Sequence, residues 1–320
     1  MKSFLLRAAA FSAFLACWIA GLNNLLEPRD AKLESERVRT ALRNAAELRS
    51  VCLGRSHAAS LDYAELGVSG QNFALGGRDL ASIEFWLRSM VPRLPQLKTV
   101  FLCISYSSLH FDNKALSPGV ADARAAMYHS LPSWGFLPGD RPDFLIGKFF
   151  SFIHPDHGVS AFARSKRRGQ DGGGDWADTH MAEDAIEAHG RKQAYNHSLD
   201  RQVAVHNQPD VMRASVETLE RIHAFLTERR IQCILFTPPY HQSYTRHYPE
   251  SDIAEMKGAM NRLRSERGIP YYDFSFVDGI STEAIHYHNS DHLNAAGKAR
   301  FTRVLSERLD RDGIQLPRGP

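Results

Sequence analysis

A buried strand that ends in a polar turn is visible at Ser50-Val-Cys-Leu-Gly-Arg-Ser-His57. The short, mostly apolar run from Ser50 to Leu53 has the length and composition of a strand that is covered on both faces. Gly54 then ends this run. Similar runs follow at 71–75, 99–105, 231–237 and 271–274, separated by segments with helical spacing of apolar residues. Strands that alternate with helices predict a parallel sheet with helices on both faces.

The alternation is interrupted between about 107 and 209, where helical pieces are separated by turns rich in Pro and Gly. This stretch is too long for a simple crossover connection, so we interpret it as an insertion. The sequence therefore predicts an α/β fold over 50–314. We expect a three-layer, doubly wound, flavodoxin-like parallel sheet that carries this large insertion.

The N-terminus carries an apolar run that bears on where the protein works. After Lys2 and Arg7, residues 8–22 contain no charge, and flanking leucines bring the run close to the roughly 20 residues that span a bilayer. Residues 1–28 are therefore predicted to be an uncleaved membrane anchor, with a cleaved signal peptide as the alternative. A charged linker helix is expected over 29–49.

The charges around the anchor predict the orientation of the chain. The cationic residues precede the apolar run, and none follows it directly, which places the N-terminus in the cytoplasm. We therefore expect a single-pass protein of a bacterial inner membrane, with its folded part on the periplasmic side.

The composition excludes several classes of function. The chain has 320 residues, of which 43% are hydrophobic and 23% charged, as in globular proteins with a real core. Its formal net charge is only +3, which gives no electrostatic reason to expect nucleic acid as a partner. Cys52, Cys103 and Cys233 lie in apolar runs, so they are expected to be small buried side chains. No cofactor is predicted.

Residues that could take part in catalysis or binding lie near the ends of the predicted strands and before the last helix. They are Ser56, Gly77, Ser107 and Tyr240, followed by Asn289, Asp291 and His292. The carboxyl ends of parallel strands meet at one edge of a sheet, so we expect these groups to gather there. A serine hydroxyl needs a base to become a nucleophile, and a histidine suits that task. The pattern predicts acyl-transfer chemistry with Ser56 as nucleophile and His292 as base.

Three segments together resemble a known superfamily. They are Gly54-Arg-Ser-His57, a second strand ending in Gly76-Gly77, and His292-Leu-Asn-Ala-Ala-Gly297 before a terminal helix. This combination, which spans roughly 50–309 apart from the insertion, resembles the SGNH (GDSL-type) hydrolases. It is most similar to membrane-anchored members that are encoded with surface-polysaccharide machinery. The resemblance implies that Ser56 is also the first oxyanion donor through its N–H, and that Gly77 supplies the second.

Two positions depart from the superfamily pattern. The superfamily usually has Asp three residues before the histidine, where this chain has Asn289; either Asn289 or the adjacent Asp291 is expected to orient His292. The third-block asparagine is missing after the third strand, where the chain reads Ser105-Tyr-Ser107. Ser107 is the candidate for a third oxyanion donor.

Further side chains have two interpretations each. His57 is expected to be either a residue of a first helical turn or a contact to substrate. Tyr240 is expected at the rim of the pocket, where its ring would stack on sugars. His286, His288 and His292 have the spacing of a metal cluster, but no carboxylate completes a recognisable site. A solvated histidine-rich loop is the favoured interpretation, and no metal is predicted.

These observations predict an exported serine-dependent O-acyltransferase or esterase. Its substrate would be a polysaccharide or sugar ester at the cell surface, and its partner an integral membrane acyltransferase or an export protein. The alternative is a catalytically impaired accessory protein that binds glycan or docks such an acyltransferase. Geometry discriminates between them: a Ser56–His292 separation beyond about 6 Å would favour the accessory protein, because one water bridges less than that.

Overall fold

A computed structural model describes residues 2–25, 29–116, 122–150 and 179–317. Its centre is a five-stranded sheet with the order β2-β1-β3-β4-β5, in which every pairing is parallel. The strands are β1 Ser50–Gly54, β2 Gly70–Ala74, β3 Thr99–Cys103, β4 Gln232–Thr237 and β5 Tyr271–Asp273. The predicted α/β class and the parallel sheet are confirmed.

The strand order has a consequence for the position of a site. The chain leaves β1 for β2 on one side and returns to β3 on the other, so the direction of winding reverses between β1 and β3. The register pairs Gly54 with Ala74 and Leu53 with Leu102, which brings the carboxyl ends of these three strands to one edge. Ligands of open parallel sheets bind at such a reversal point.

The α-helices of the described residues are α1 Lys2–Leu25, α2 Arg29–Arg43, α3 Tyr63–Leu66, α4 Leu80–Met90, α5 Asn113–Leu116, α6 Asp122–Ser130, α7 Arg141–Phe149, α8 Glu183–Asn207, α9 Val211–Thr227, α10 Gln242–His247, α11 Glu250–Arg267 and α12 Ala295–Arg311. Short 3-10 turns occur at Ser56–Ser60, Val91–Arg93 and Ala284–His286. A two-stranded antiparallel hairpin, β6 Tyr287–Asn289 and β7 His292–Leu293, precedes α12.

The two faces of the sheet are covered by different helices. On one face, Phe236 of β4 stacks on Phe301 of α12 with ring centroids 6.0 Å apart, and Cys52 joins the same buried cluster. On the other face, α4 packs on β1 and α9 packs on β4, and the two helices contact each other. Side chains alternate between faces along a strand, so a strand buried on both sides must be apolar throughout.

Local capping sets some of the element boundaries. The 3-10 turn Ser56–Ser60 and helix α3 are separate elements, because the Asp62 side chain accepts a hydrogen bond from Ala64 N and caps a new helix. Helix α8 runs without a break from Glu183 to Asn207. The predicted linker helix ends at Arg43, before the expected residue 49.

The chain divides into two compact units. The smaller unit comprises Met1–Val38 and Ala121–Gly172, and the larger comprises Arg39–Val120 and Gly173–Pro320. The segment Ala121–Gly172 of the smaller unit lies within the insertion predicted at 107–209. Residues 117–121 and 151–178 of that insertion lie outside the described residues.

Helix α1 contains a stretch that is long and apolar enough to cross a membrane, Ser3–Asn23. None of this stretch is buried inside the protein, and large side chains such as Phe11 and Trp18 are exposed. An N-terminal signal sequence would have the same length and composition, so the helix is compatible with both predicted alternatives.

Candidate active site

Ser56 lies in a tight turn that follows β1. Gly54 ends the strand with φ +153°, and a side chain there would meet the Cβ of Cys103 at 2.9 Å and that of Ala58 at 3.0 Å. Only glycine allows this backbone conformation and this close approach to β3. Ser56 is then the first residue of a 3-10 turn, so its N–H has no partner within that turn.

His292 reaches Ser56 from the β6–β7 hairpin. Asn289 and His292 are directly paired across this hairpin, and Ser290 and Asp291 form the connection between the strands. The Nε2 atom of His292 lies 2.8 Å from the Oγ atom of Ser56. These two residues, 236 positions apart in the chain, are therefore within direct hydrogen-bond distance.

The other ring nitrogen of His292 has two acceptors. Its Nδ1 lies 3.0 Å from Oδ1 of Asn289 and 3.1 Å from Oδ1 of Asp291. Both side chains that sequence reasoning offered as alternatives are thus brought to the same N–H. A proton held at Nδ1 leaves Nε2 free to accept the Ser56 hydroxyl, which is the tautomer that a general base requires.

The Asp291 carboxylate contacts a second imidazole, that of His57. Its Nε2 lies 3.1 Å from Oδ2 of Asp291, while Oδ1 of the same carboxylate faces His292. The imidazole rings of His57 and His292 stack nearly parallel, with ring centroids 4.6 Å apart and an angle of 9° between the ring planes. Asp291 is 2% exposed and His57 is 3% exposed. One buried carboxylate therefore holds two stacked imidazoles.

Burial and hydrogen bonding fix the charges of this network. Burial lowers the pKa of His57 to about 4, although its hydrogen bond to Asp291 opposes the shift. Burial alone would raise the pKa of Asp291, but the imidazoles of His292 and His57 outweigh it and hold that pKa well below its usual range. At neutral pH, Asp291 is an anion and His57 is neutral, donating Nε2–H to the carboxylate.

Gly77 lies in the turn after β2, at the same edge of the sheet. It has φ +72°, a left-handed conformation that favours glycine. Among the described residues, neither its backbone N–H nor that of Ser56 finds a hydrogen-bond acceptor. The Asn113 amide donates to the carbonyl oxygen of Gly77 at 2.8 Å. Asn113 thus braces this turn.

Ser107 is buried beside the turn that carries Ser56. Its Oγ atom accepts a hydrogen bond from Nη1 of Arg55 at 2.6 Å and lies 3.5 Å from Oγ of Ser105. The Arg55 guanidinium also lies 3.7 Å from the ring centre of Phe111. The Ser107 side chain is therefore held by the residue that precedes the candidate nucleophile.

The predicted rim position of Tyr240 is wrong. Its side chain is fully buried, and it packs tilted against Tyr106 and Tyr244 with ring centroids 4.9 and 5.1 Å away. It also meets the edge of His57 at 5.5 Å. A tyrosine that follows a strand looks like a rim residue in a sequence, but here it forms an aromatic wall behind the imidazoles and offers no face to a sugar.

His57 lies in the first turn after β1, as one of its two interpretations expected, and its buried ring is directed at Asp291. This is a positioning contact within the network, and the contact to substrate stays a prediction. Adjacency to Ser56 was the only sequence signal, and it does not specify the direction of the ring.

His286, His288 and His292 each contact a different partner. His286 contacts Arg300 through Nε2 at 2.9 Å, and His288 contacts Thr179 through Nδ1 at 3.0 Å, whereas His292 faces Ser56. Among the described residues, the group that could hold a metal ion is instead His57, Asp291 and His292, whose ligand atoms lie within 4.8 Å of one another. Metal binding there would displace the protons that now join the carboxylate to both rings.

A narrow crevice borders the two imidazoles and the Asp291 carboxylate, and Ser56 is not among the residues that line it. Its walls include Ser60, Pro238, Pro239 and Leu293 beside the two histidines. This arrangement has a hydroxyl, a base within reach of it, a carboxylate that orients the base, and two unpaired N–H groups at the same sheet edge.

The chain was compared with protein families and with curated proteins. No family model matches the chain, and no curated protein sequence matches it.

Proposed function

We propose that the protein is a serine-dependent acyl-transfer enzyme that cleaves or transfers ester-linked acyl groups. The observation that carries this proposal is the 2.8 Å contact between His292 Nε2 and Ser56 Oγ, with Asp291 behind the ring. A serine hydroxyl within direct hydrogen-bond distance of an oriented imidazole is the requirement of an activated nucleophile.

In the first half-reaction, Ser56 Oγ attacks the carbonyl carbon of an ester. His292 Nε2 takes the hydroxyl proton as the C–O bond forms, and ionised Asp291 stabilises the resulting imidazolium. The N–H groups of Ser56 and Gly77 are the proposed donors to the developing oxyanion. Collapse of the tetrahedral intermediate breaks the ester bond, and His292 returns the proton to the leaving alcohol.

The second half-reaction releases the acyl group from Ser56. His292 removes a proton from the acceptor hydroxyl, whose oxygen attacks the acyl-serine carbonyl and frees Ser56, which regains its proton from His292. Water as the acceptor makes the protein an esterase, and a sugar hydroxyl makes it an O-acyltransferase. Both outcomes use the same residues.

The proposed setting is a surface polysaccharide on the outer side of a bacterial inner membrane. It is supported by the resemblance to membrane-anchored SGNH hydrolases, by the flavodoxin-like strand order, and by the apolar helix α1. An anchored enzyme stays near the point where a polymer or an activated acyl group leaves the membrane. An integral membrane acyltransferase or export protein is the proposed partner.

The accessory-protein alternative is less well supported by the geometry. It predicts a Ser56–His292 separation beyond about 6 Å, and the observed separation of 2.8 Å is less than half of that. The missing superfamily aspartate, which first suggested impaired catalysis, has a substitute in Asp291.

Labelling of the full chain in detergent with a fluorophosphonate, together with hydrolysis of p-nitrophenyl acetate, tests the proposal. We expect wild type to label and to release acetate, and Ser56→Ala and His292→Ala to do neither. Ser69→Ala is the matched control, because this serine is exposed and outside the network. A folded wild type that does not label would contradict the proposal and favour the accessory protein. Mass spectrometry of added oligosaccharides then distinguishes transfer from hydrolysis.

A further inference from the structure

The α6–α7 hairpin of the smaller unit carries an apolar surface that nothing in the proposed chemistry uses. Five side chains form it, and we call them the apolar face: Trp134, Phe136, Leu145, Phe149 and Phe150. Trp134 is 72% exposed and each of the others is 36–44% exposed. Trp134 and Phe149 contact each other with ring centroids 6.1 Å apart, so the face is continuous there. Contiguous apolar surface of this kind marks a binding or membrane surface.

The exposure is not a product of loose packing. Beneath the face, buried Arg124 and Asp140 form an ion pair with Nη1 and Oδ1 2.9 Å apart, and the Tyr128 hydroxyl donates to the same carboxylate at 2.9 Å. Gly147 lets α7 approach α6 so closely that a Cβ there would lie 2.4 Å from the carbonyl oxygen of Ala125. A rigid hairpin therefore presents the face.

The position of the face is set by helix α1. Asn23, the last residue of the span Ser3–Asn23, donates a side-chain hydrogen bond to the carbonyl oxygen of Phe149 at 3.0 Å. The C-terminal end of α1 thus touches the end of α7 that carries Phe149 and Phe150. If α1 crosses a bilayer, this contact lies at the depth where the span emerges.

The chemistry of the face matches that depth. Aromatic side chains, tryptophan above all, are enriched at membrane interfaces, where apolar rings meet polar headgroups. The Lys148 ammonium lies 5.8 Å from the ring centre of Trp134, so a cation accompanies the aromatic cluster. Amphipathic helices that combine large apolar residues with lysine bind in the plane of the interface.

We propose that the apolar face of the α6–α7 hairpin is seated in the headgroup region of a phospholipid bilayer, on the side where α1 emerges. The hairpin would thus be a second, peripheral membrane contact, buried roughly 5–10 Å into the boundary between headgroups and acyl chains. This inference rests on α1 as a membrane span and is independent of the acyl-transfer chemistry.

Single-cysteine labelling of the full chain in phosphatidylcholine–phosphatidylglycerol vesicles tests it. Native Cys17, exposed on α1, carries an environment-sensitive fluorophore as the membrane reference, since Cys52, Cys103 and Cys233 are buried. In a Cys17→Ser background, Trp134→Cys and Phe149→Cys report on the apolar face. Glu36→Cys, an exposed charged position of α2, is the aqueous control.

We expect both hairpin probes to emit at shorter wavelength than the Glu36→Cys probe. A lipid quencher placed near the headgroup should quench them more than one placed at the end of the acyl chain, whereas the Cys17 probe should respond to both. Lipid quenching of Cys17 with only aqueous quenching at both hairpin positions would overturn the proposal and leave the face to a membrane-protein partner. An unquenched Cys17 would overturn it too, because α1 would not be inserted; neither result affects the Ser56 labelling test.

Discussion

Each compact unit of the protein buries a carboxylate, and the two carboxylates have different partners. In the smaller unit, fully buried Asp140 faces Arg124, a cation that does not lose its proton in proteins. In the larger unit, Asp291 faces the imidazoles of His57 and His292, side chains that can donate a proton at one ring nitrogen and accept one at the other. The first arrangement fixes a structure, whereas the second holds a base that can exchange a proton with Ser56.

The comparison predicts that activity resides entirely in the network around Asp291. Ser56→Ala removes the nucleophile, and we expect esterase activity to fall by roughly 10⁴-fold or more. Melting in detergent should change little, because Ser56 lies at a turn and not in the core. Residual activity near that of wild type would show that another group is the nucleophile.

Asp291→Asn tests whether the carboxylate is more than a structural support. The substitution keeps the shape but removes the anion that stabilises a protonated His292, and it allows the wrong tautomer. We expect kcat to fall by about 10³–10⁴-fold, by analogy with the same change in serine proteases. A loss of less than about tenfold would mean that Asn289 alone orients the base.

Asp140→Asn tests the other side of the comparison. It removes the carboxylate charge that faces the buried Arg124 guanidinium, and breaking a buried ion pair in this way costs about 3–5 kcal/mol of folding free energy. We expect lower melting of the smaller unit and unchanged fluorophosphonate labelling at temperatures where the chain is folded. Unchanged melting would contradict the view that this pair holds the hairpin.

The central strands β1, β3 and β4 were predictable from the sequence because strands buried on both faces are apolar over most of their length. Runs such as Val100–Cys103 therefore stand out without any knowledge of tertiary contacts. The Ser56–His292 pair was also predictable, since the order of parallel strands brings their carboxyl ends together. These features depend on patterns that extend over many residues.

The rest of the site depends on local geometry that no periodicity records. Asp291 turns toward His292 because strands of three and two residues form a tight hairpin, which is too short to leave a pattern. His57 turns inward because of a 3-10 turn, and Tyr240 is buried by aromatic rings from distant segments. Side-chain direction at turns is the part that the sequence leaves open.

The pH dependence of stability sharpens the comparison further. The folded-state pKa of His57 is about 4, below the unfolded value near 6.5. Its contribution to stability is therefore complete above pH 6.5 and decreases as pH falls toward 4, because only the unfolded chain takes up the proton. When the pH is lowered from about 7 to about 5, this one residue should decrease the free energy of unfolding by about 2 kcal/mol.

His57→Gln should remove that share, because glutamine keeps a donor for Asp291 but does not titrate. Urea unfolding of the full chain in detergent at the two pH values measures the difference. Buried His197, whose pKa burial lowers to about 3, remains in the variant and contributes to the pH dependence of both proteins. An equal pH dependence in wild type and His57→Gln would show that His57 binds its proton equally well in the folded and the unfolded chain.

Asn289 gives the smallest expected effect and the finest test of the network. Its amide shares the His292 Nδ1–H with Asp291, but an ionised acceptor forms the stronger hydrogen bond. Asn289→Ala should therefore lower kcat by only about fivefold, roughly 1 kcal/mol. A loss as large as that of Asp291→Asn would reverse the assignment of the orienting group.

Asn289→Asp, which restores the superfamily residue, should not increase activity. The acceptor oxygens at positions 289 and 291 lie 3.0 and 3.1 Å from the same nitrogen, so two carboxylates there would be at most about 6 Å apart. Like charges at that distance raise the pKa of one carboxyl group, so the site would bind an extra proton instead of gaining a second anion. The kcat of Asn289→Asp should stay within about twofold of the wild-type value. When the solution is acidified, the kcat of the variant should begin to decline at a higher pH than the kcat of wild type. A tenfold increase would mean that Asp291 serves His57 and leaves His292 without its anion.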